Sequence, residues 1–125
     1  MERAFSGSPY EKEYGFCRAV RVGSDVVVAG TAPIGADGKT AEGGPYGQAK
    51  RCFEIIVAAL AELGAKPSNV VRTRMYITDP QYAADVGRAH REAFGDAPPA
   101  ATMVVTQLLD PEWTCEIEAE ARGVE

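Results

Sequence analysis

Three carboxylates stand on alternate residues near the end of this chain, Glu116, Glu118 and Glu120 in the run from Trp113 to Ala121. A period of two is that of a β-strand. The acids therefore share one face, and Cys115, Ile117 and Ala119 share the other. A buried, unpaired carboxylate is costly, so the row must meet water, cations or a partner surface. Such a group can act as a general base toward a water, or accept a hydrogen bond from a ligand amine. It can equally be spent on an ion pair. Arg72 and Arg74 alternate with Tyr76 in the strand-like run Val70 to Thr78 and offer that pair. For Glu116 both roles stand open, while Glu118 and Glu120 read as structural.

The other reactive side chains are few. Cys17, Cys52 and Cys115 are far apart, and an odd count without a close pair fits a reducing compartment. Cys52 falls in an apolar helical stripe and Cys115 faces away from the acids, so both read as core. Cys17, beside Phe16, is the better placed for a thiol near a ligand. His90 is the one histidine, and it diverges from Arg88 on its helix. A surface or interface role is expected for it. No metal ligand set is spaced for a site, so neither metal nor cofactor is expected.

These residues need a scaffold. Residues 1–15 are polar and glycine-containing and read as a loose N-terminal arm, which Tyr10, Tyr14 and Phe16 can tack to the body. Cys17–Val22 and Val26–Gly30 read as a hairpin, its second strand covered on both faces. Six of the fifteen residues from Thr31 to Pro45 are Gly or Pro, so that stretch is loop. Ala49, Cys52, Phe53, Ile56, Leu60 and Leu63 recur every three or four residues, predicting a helix over Pro45–Leu63 with Gly64 just past its end. Val71, Thr73, Met75 and Ile77 are expected inward on the next strand. Asp79-Pro80 then starts a helix to Phe94, in which Gly87 allows a close approach. Ala101–Thr106, a turn at Leu109–Glu112, and Trp113–Ala121 close the chain, with Trp113 expected at a subunit edge. Two helices can cover one face of a sheet of five or six strands. The predicted fold is α+β, and the open face calls for a second subunit.

With 125 residues the chain fits one domain, 1–125. The net charge of −5 argues against nucleic-acid binding, which needs clustered Lys and Arg. No apolar run approaches the ~20 residues that span a membrane. The start of the chain lacks the apolar segment of a signal peptide, so a cytoplasmic location is expected.

The runs GAKPSNVVRTRMYITD, VGRAHREAFG and PPAATMVV…CEIEAEA resemble the Rid (reactive intermediate deaminase, or YjgF) family over about Phe16 to Ala121. The resemblance implies a chorismate-mutase-like homotrimer around a central barrel, with a small-molecule cleft at each subunit boundary. It also implies hydrolysis of enamines or imines derived from amino acids. By the same resemblance Glu116 is the acid that handles water, Phe16 the aromatic of the cleft, and Ala29-Gly30 the backbone facing the ligand. Arg88 falls where the family often has Asn. The family's Pro-Ala-Arg-Ser/Thr motif, whose Arg grips a substrate carboxylate, falls on Pro99-Ala100-Ala101-Thr102. Ala101 thus replaces the clamp, and a bidentate Arg–carboxylate contact is hard to replace. Arg88 or Arg18 is the candidate substitute. A divergent deaminase-like hydrolase and a noncatalytic trimer binding a metabolite or a protein partner are the two readings. A ribonuclease fits the acidic chain least.

Overall fold

The computed structural model describes residues 1–125. Its elements are β1 (Glu2–Ala4), α1 (Pro9–Tyr14), β2 (Ala19–Val22), β3 (Asp25–Thr31), α2 (Gly44–Glu62), β4 (Val70–Ile77), α3 (Ala83–Phe94), β5 (Ala100–Val105) and β6 (Cys115–Ala121). The strands form one sheet in the order β1-β2-β3-β6-β4-β5. All neighbours are antiparallel except β4 and β5, which are parallel and joined through α3. The acid-bearing strand β6 lies between β3 and β4, inside the sheet.

The two long helices form because their apolar residues recur at helical spacing. Ala49, Cys52, Phe53, Ile56 and Leu60 of α2 are buried, as are Val86, Ala89 and Phe94 of α3. Gly64 adopts φ +85° past the end of α2, a conformation that side chains with a Cβ resist. The helices pack side by side, with α2 over β3 and β6. Ile56, Leu60, Ile77 and Ile117 sit between the layers at 0–1% exposure, each contributing about 1.5–3 kcal/mol by burial.

The opposite face of the sheet is open. Arg74 Nη1 lies 3.4 Å from carboxylate oxygens of both Glu118 and Glu120. Tyr76 donates to Glu118 at 2.9 Å. The expected cross-strand pairing is thus formed, and it uses Arg74 rather than Arg72.

Several expectations are corrected. Residues 1–15 are not a loose arm. Glu2–Ala4 pairs with β2, and Ser8 caps α1 with Pro9 in its first turn. β3 is covered on one face only, since Val26 and Val28 are buried and Val27 is 47% exposed. A register irregularity between Val70 and Arg72 turns Val70, not Val71, into the core. β6 starts at Cys115, and Trp113 is buried within the chain. A Cβ at Gly87 would meet nothing within 4 Å, so no close approach requires that glycine. His90 is half-buried, bonded to Thr73 Oγ1 at 2.7 Å and packed on Phe53 and Phe94.

Candidate functional site

Glu116 is the member of the acid row that the arginine pairing leaves free. It makes no hydrogen bond or ion pair within the chain, unlike Glu118 and Glu120. Its carboxylate opens on a cleft of about 350 Å³. Across from it is Gly30 of β3, where a Cβ would stand 3.4 Å from Glu116 Oε1. The missing side chain leaves the space beside the carboxylate to a ligand. Burial raises the Glu116 pKa from the ordinary carboxylate value; Arg18 works against that rise and Glu118 adds to it. A carboxyl raised in this way holds its proton more readily than an exposed one, which suits a group that takes a proton and gives it back.

Arg18 lines the same cleft but is almost fully engaged. It is 5% exposed. Its Nε donates to Glu11 Oε2 at 3.0 Å, and Nη2 approaches the same oxygen at 3.0 Å. Nη1 donates to the Gly30 carbonyl at 2.7 Å and to Thr31 Oγ1 at 3.2 Å. Of the five N–H groups of a guanidinium, the two that make no hydrogen bond are both on Nη2, which lies against Glu11. The Phe16 ring lies beneath, 5.3 Å from the guanidinium carbon. Arg18 therefore fixes the backbone at Gly30, and Glu11 cancels its charge.

Glu11 is 4% exposed although it sits on a six-residue helix. It accepts from the Ser6 backbone N–H and hydroxyl as well as from Arg18. Burial pushes its pKa up, but the bonds from Ser6 and Arg18 outweigh this and hold it below the usual range. This anchor lays α1 over the cleft. Tyr10 and Tyr14 stack at 5.8 Å, and Tyr10 meets Trp113 edge-on at 6.0 Å. Trp113 is held by its neighbours: Gln48 of α2 donates to the Glu112 carbonyl and accepts from Thr114. The Trp113 indole N–H is buried without a partner. Tyr10, Tyr14, Phe16 and Trp113 make the aromatic wall, with Leu109 exposed at the margin.

Of the residues singled out in the sequence, Phe16, Arg18, Gly30 and Glu116 converge on this cleft. Arg88, Ala101 and Thr102 do not reach it within one chain. Arg88 lies 3.8 Å over the Tyr46 ring, and Tyr46 in turn donates to Glu92. On β5, Thr102 pairs with Arg74 and Ala101 with Thr73. Glu11, Tyr10, Tyr14 and Gln48 were missed as site residues. The first three had a signal, because Ser8-Pro9-Tyr10-Glu11 has the S-x-x-E spacing of a helix start with Pro at its first position.

The chain matches the family described as Endoribonuclease L-PSP over residues 8–122. It belongs to that family. An uncharacterized protein of Streptomyces coelicolor is 40% identical over 122 residues, covering 97% of this chain and 91% of the relative. A RutC family protein of Pyrococcus abyssi is 34% identical over 107 residues, covering 85% of this chain and 84% of that one. A solved member of the YjgF/YER057c/UK114 family from Mycobacterium tuberculosis superposes with a TM-score of 0.86. It is 40% identical, with 97% of this chain and 98% of that chain covered. The likeness to the Rid family read from the sequence is thus shown, and so is its α+β fold.

Proposed function

We propose that this family member hydrolyses a reactive imine or enamine of a small metabolite, using Glu116 to manage the water. The observation that carries the reading is the unpaired Glu116 carboxylate facing Gly30 across an aromatic-walled cleft. For a protonated imine the reaction is R–CH=NH2+ plus water giving R–CHO plus NH4+. Water oxygen attacks the carbon while the C=N π pair moves to nitrogen. Glu116 takes the proton that water loses and returns it to nitrogen. The carbinolamine then collapses: the C–N bond breaks with its electron pair going to nitrogen, Glu116 takes the O–H proton as the C=O forms, and the departing ammonia carries that proton away as NH4+. The Gly30 main chain, fixed by Arg18, shapes the pocket for the nitrogen end.

We also propose a homotrimer built through the open sheet face, with clefts completed at subunit boundaries and Arg88 or the Ala101-Thr102 edge meeting a neighbour's cleft. Val27 and Val104, 47% and 42% exposed on that face, support this. Noncatalytic metabolite binding is the second reading, and Ala101 in place of the clamp favours it. The family description names an endoribonuclease, but a net charge of −5 gives RNA little to bind.

Glu116→Gln decides between the first two. Amine and amino-acid oxidases would generate imines beside the purified protein, and carbonyl formation would be followed. The expected result is acceleration by the wild type and a loss of about 10²-fold or more in the variant, the usual scale of general acid–base catalysis. Equal rates with and without protein would leave binding as the function.

A further inference from the structure

The β3–β6 pairing is interrupted beside Glu116. Val28 faces Ala119 in register, but Thr31 faces Ile117, so β3 carries one residue more than β6 and bulges at Ala29-Gly30. An unbroken register from Val28 would set Thr31 opposite Glu116, with its hydroxyl free to bond the carboxylate. The bulge instead turns Thr31 into the core, where it is 1% exposed, and leaves Gly30 beside Glu116. Bulges disrupt the ladder, and here side chains reach the carbonyls of the three residues involved. The Thr31 hydroxyl donates to the Ala29 carbonyl at 2.8 Å, Arg18 Nη1 to that of Gly30 at 2.7 Å and the Cys52 thiol to that of Thr31 at 3.3 Å. Arg18 Nη1 also donates to Thr31 Oγ1 at 3.2 Å, so one guanidinium nitrogen ties two residues of the bulge together. A buried cation needs a counter-charge, and Glu11 supplies it from α1. Every link from Glu11 to Gly30 lies within one chain.

We propose that Arg18, with Glu11 behind it, is a positioning residue of the site: it locks the Ala29-Gly30 bulge that keeps Glu116 free for the ligand. This rests on reading the Glu116 cleft as the working site, and it adds two residues that act through Gly30 rather than on the substrate. Lysine cannot stand in for the guanidinium here. Its ammonium is one compact charge, whereas the Arg18 fork reaches Glu11 through Nε and the bulge through Nη1.

Two variants test the lock. Arg18→Lys keeps the charge and removes the fork, and Thr31→Val keeps every charge and removes the hydroxyl. Sedimentation and circular dichroism establish that each is assembled and folded as the wild type is. Thr31→Val carries the test alone should Arg18→Lys not assemble. In the imine assay, kcat should fall about tenfold or more in Arg18→Lys with KM little changed, because displaced reacting groups cost rate rather than binding. An osmolyte that strengthens the fold should not restore it. The second readout needs no turnover. In the wild type the Gly30 amide resonance should follow the titration of its neighbour Glu116, a step that Glu116→Gln abolishes. That step should shrink in Arg18→Lys and Thr31→Val. A wild-type kcat in Arg18→Lys, recovery of kcat in the osmolyte, or an undiminished Gly30 step in both variants would overturn the positioning role. Hydrolysis by the wild type with both variants unaffected leaves the hydrolase reading standing without it. A diminished Gly30 step with no hydrolysis by the wild type supports the lock on Glu116 and ends the hydrolase reading.

Discussion

Glu116 lines the cleft and Glu11 lies behind Arg18, and the two carboxylates have opposite electrostatics. Burial raises the Glu116 pKa, with Arg18 opposing and Glu118 reinforcing the rise. A group whose folded pKa is raised binds more protons folded than unfolded. Stability therefore falls as pH rises from the ordinary carboxylate pKa through the folded one. Glu116→Gln removes that loss. The variant should show a higher urea midpoint than the wild type at neutral pH and an equal one below the carboxylate range. A lower midpoint at neutral pH would mean that Glu116 is held by contacts in the assembled protein. Such a gain in stability on losing a working group is the common trade between activity and fold. Of the acid row, strand alternation alone identified the shared face. Which acid stays free was settled by the reach of Arg74 to Glu118 and Glu120.

At the scale of elements, α1 is the part that depends on one contact. It has six residues, too short to be helical alone. Ser8 caps it and Gly15 ends it at φ +74°, but the Glu11–Arg18 pair holds it in place. Removing one partner of a buried pair costs about 3–5 kcal/mol. Glu11→Ala should approach the lower figure in urea unfolding, since α1 can undock rather than leave Arg18 buried and unpaired. Hydrogen exchange in residues 1–15 should speed up at the same time. Unchanged exchange there would show that Tyr10 against Trp113 suffices. The Glu11 pKa is lowered, so its contribution is present above the ordinary carboxylate pKa and is lost as pH falls through the folded value. Acid should therefore loosen α1 before the sheet. The S-x-x-E spacing marked a helix start here, yet nothing local to it indicated a buried Glu11. Its partner Arg18 lies beyond the helix in β2's approach.

For the whole molecule, the open sheet face is where assembly is tested. Sedimentation at micromolar concentration should give about three times the chain mass, as the proposed trimer requires. Val27→Glu sets a charge across from Glu120, its partner in register. An exposed substitution of this kind changes stability by about 0.5 kcal/mol or less. It should nonetheless shift the mass toward one chain, and a wild-type mass would place the interface elsewhere. The sequence by itself determined the two long helices, five of the six strands and the polarity of β4 and β6, because side-chain periodicity of 3.6 or two is a local property. Its pattern also marked the face that carries Glu116, and its resemblance to the family marked Gly30, Phe16 and Arg18. It left β1 and α1 as an arm, since a three-residue strand and a six-residue helix carry too little pattern and owe their form to β2 and Arg18. Tertiary structure alone decided that Arg18 is consumed by Glu11, that Trp113 lies beneath α1, and that Arg88 sits on Tyr46. Those outcomes depend on distances between residues far apart in the chain, and side-chain spacing along the chain does not encode them.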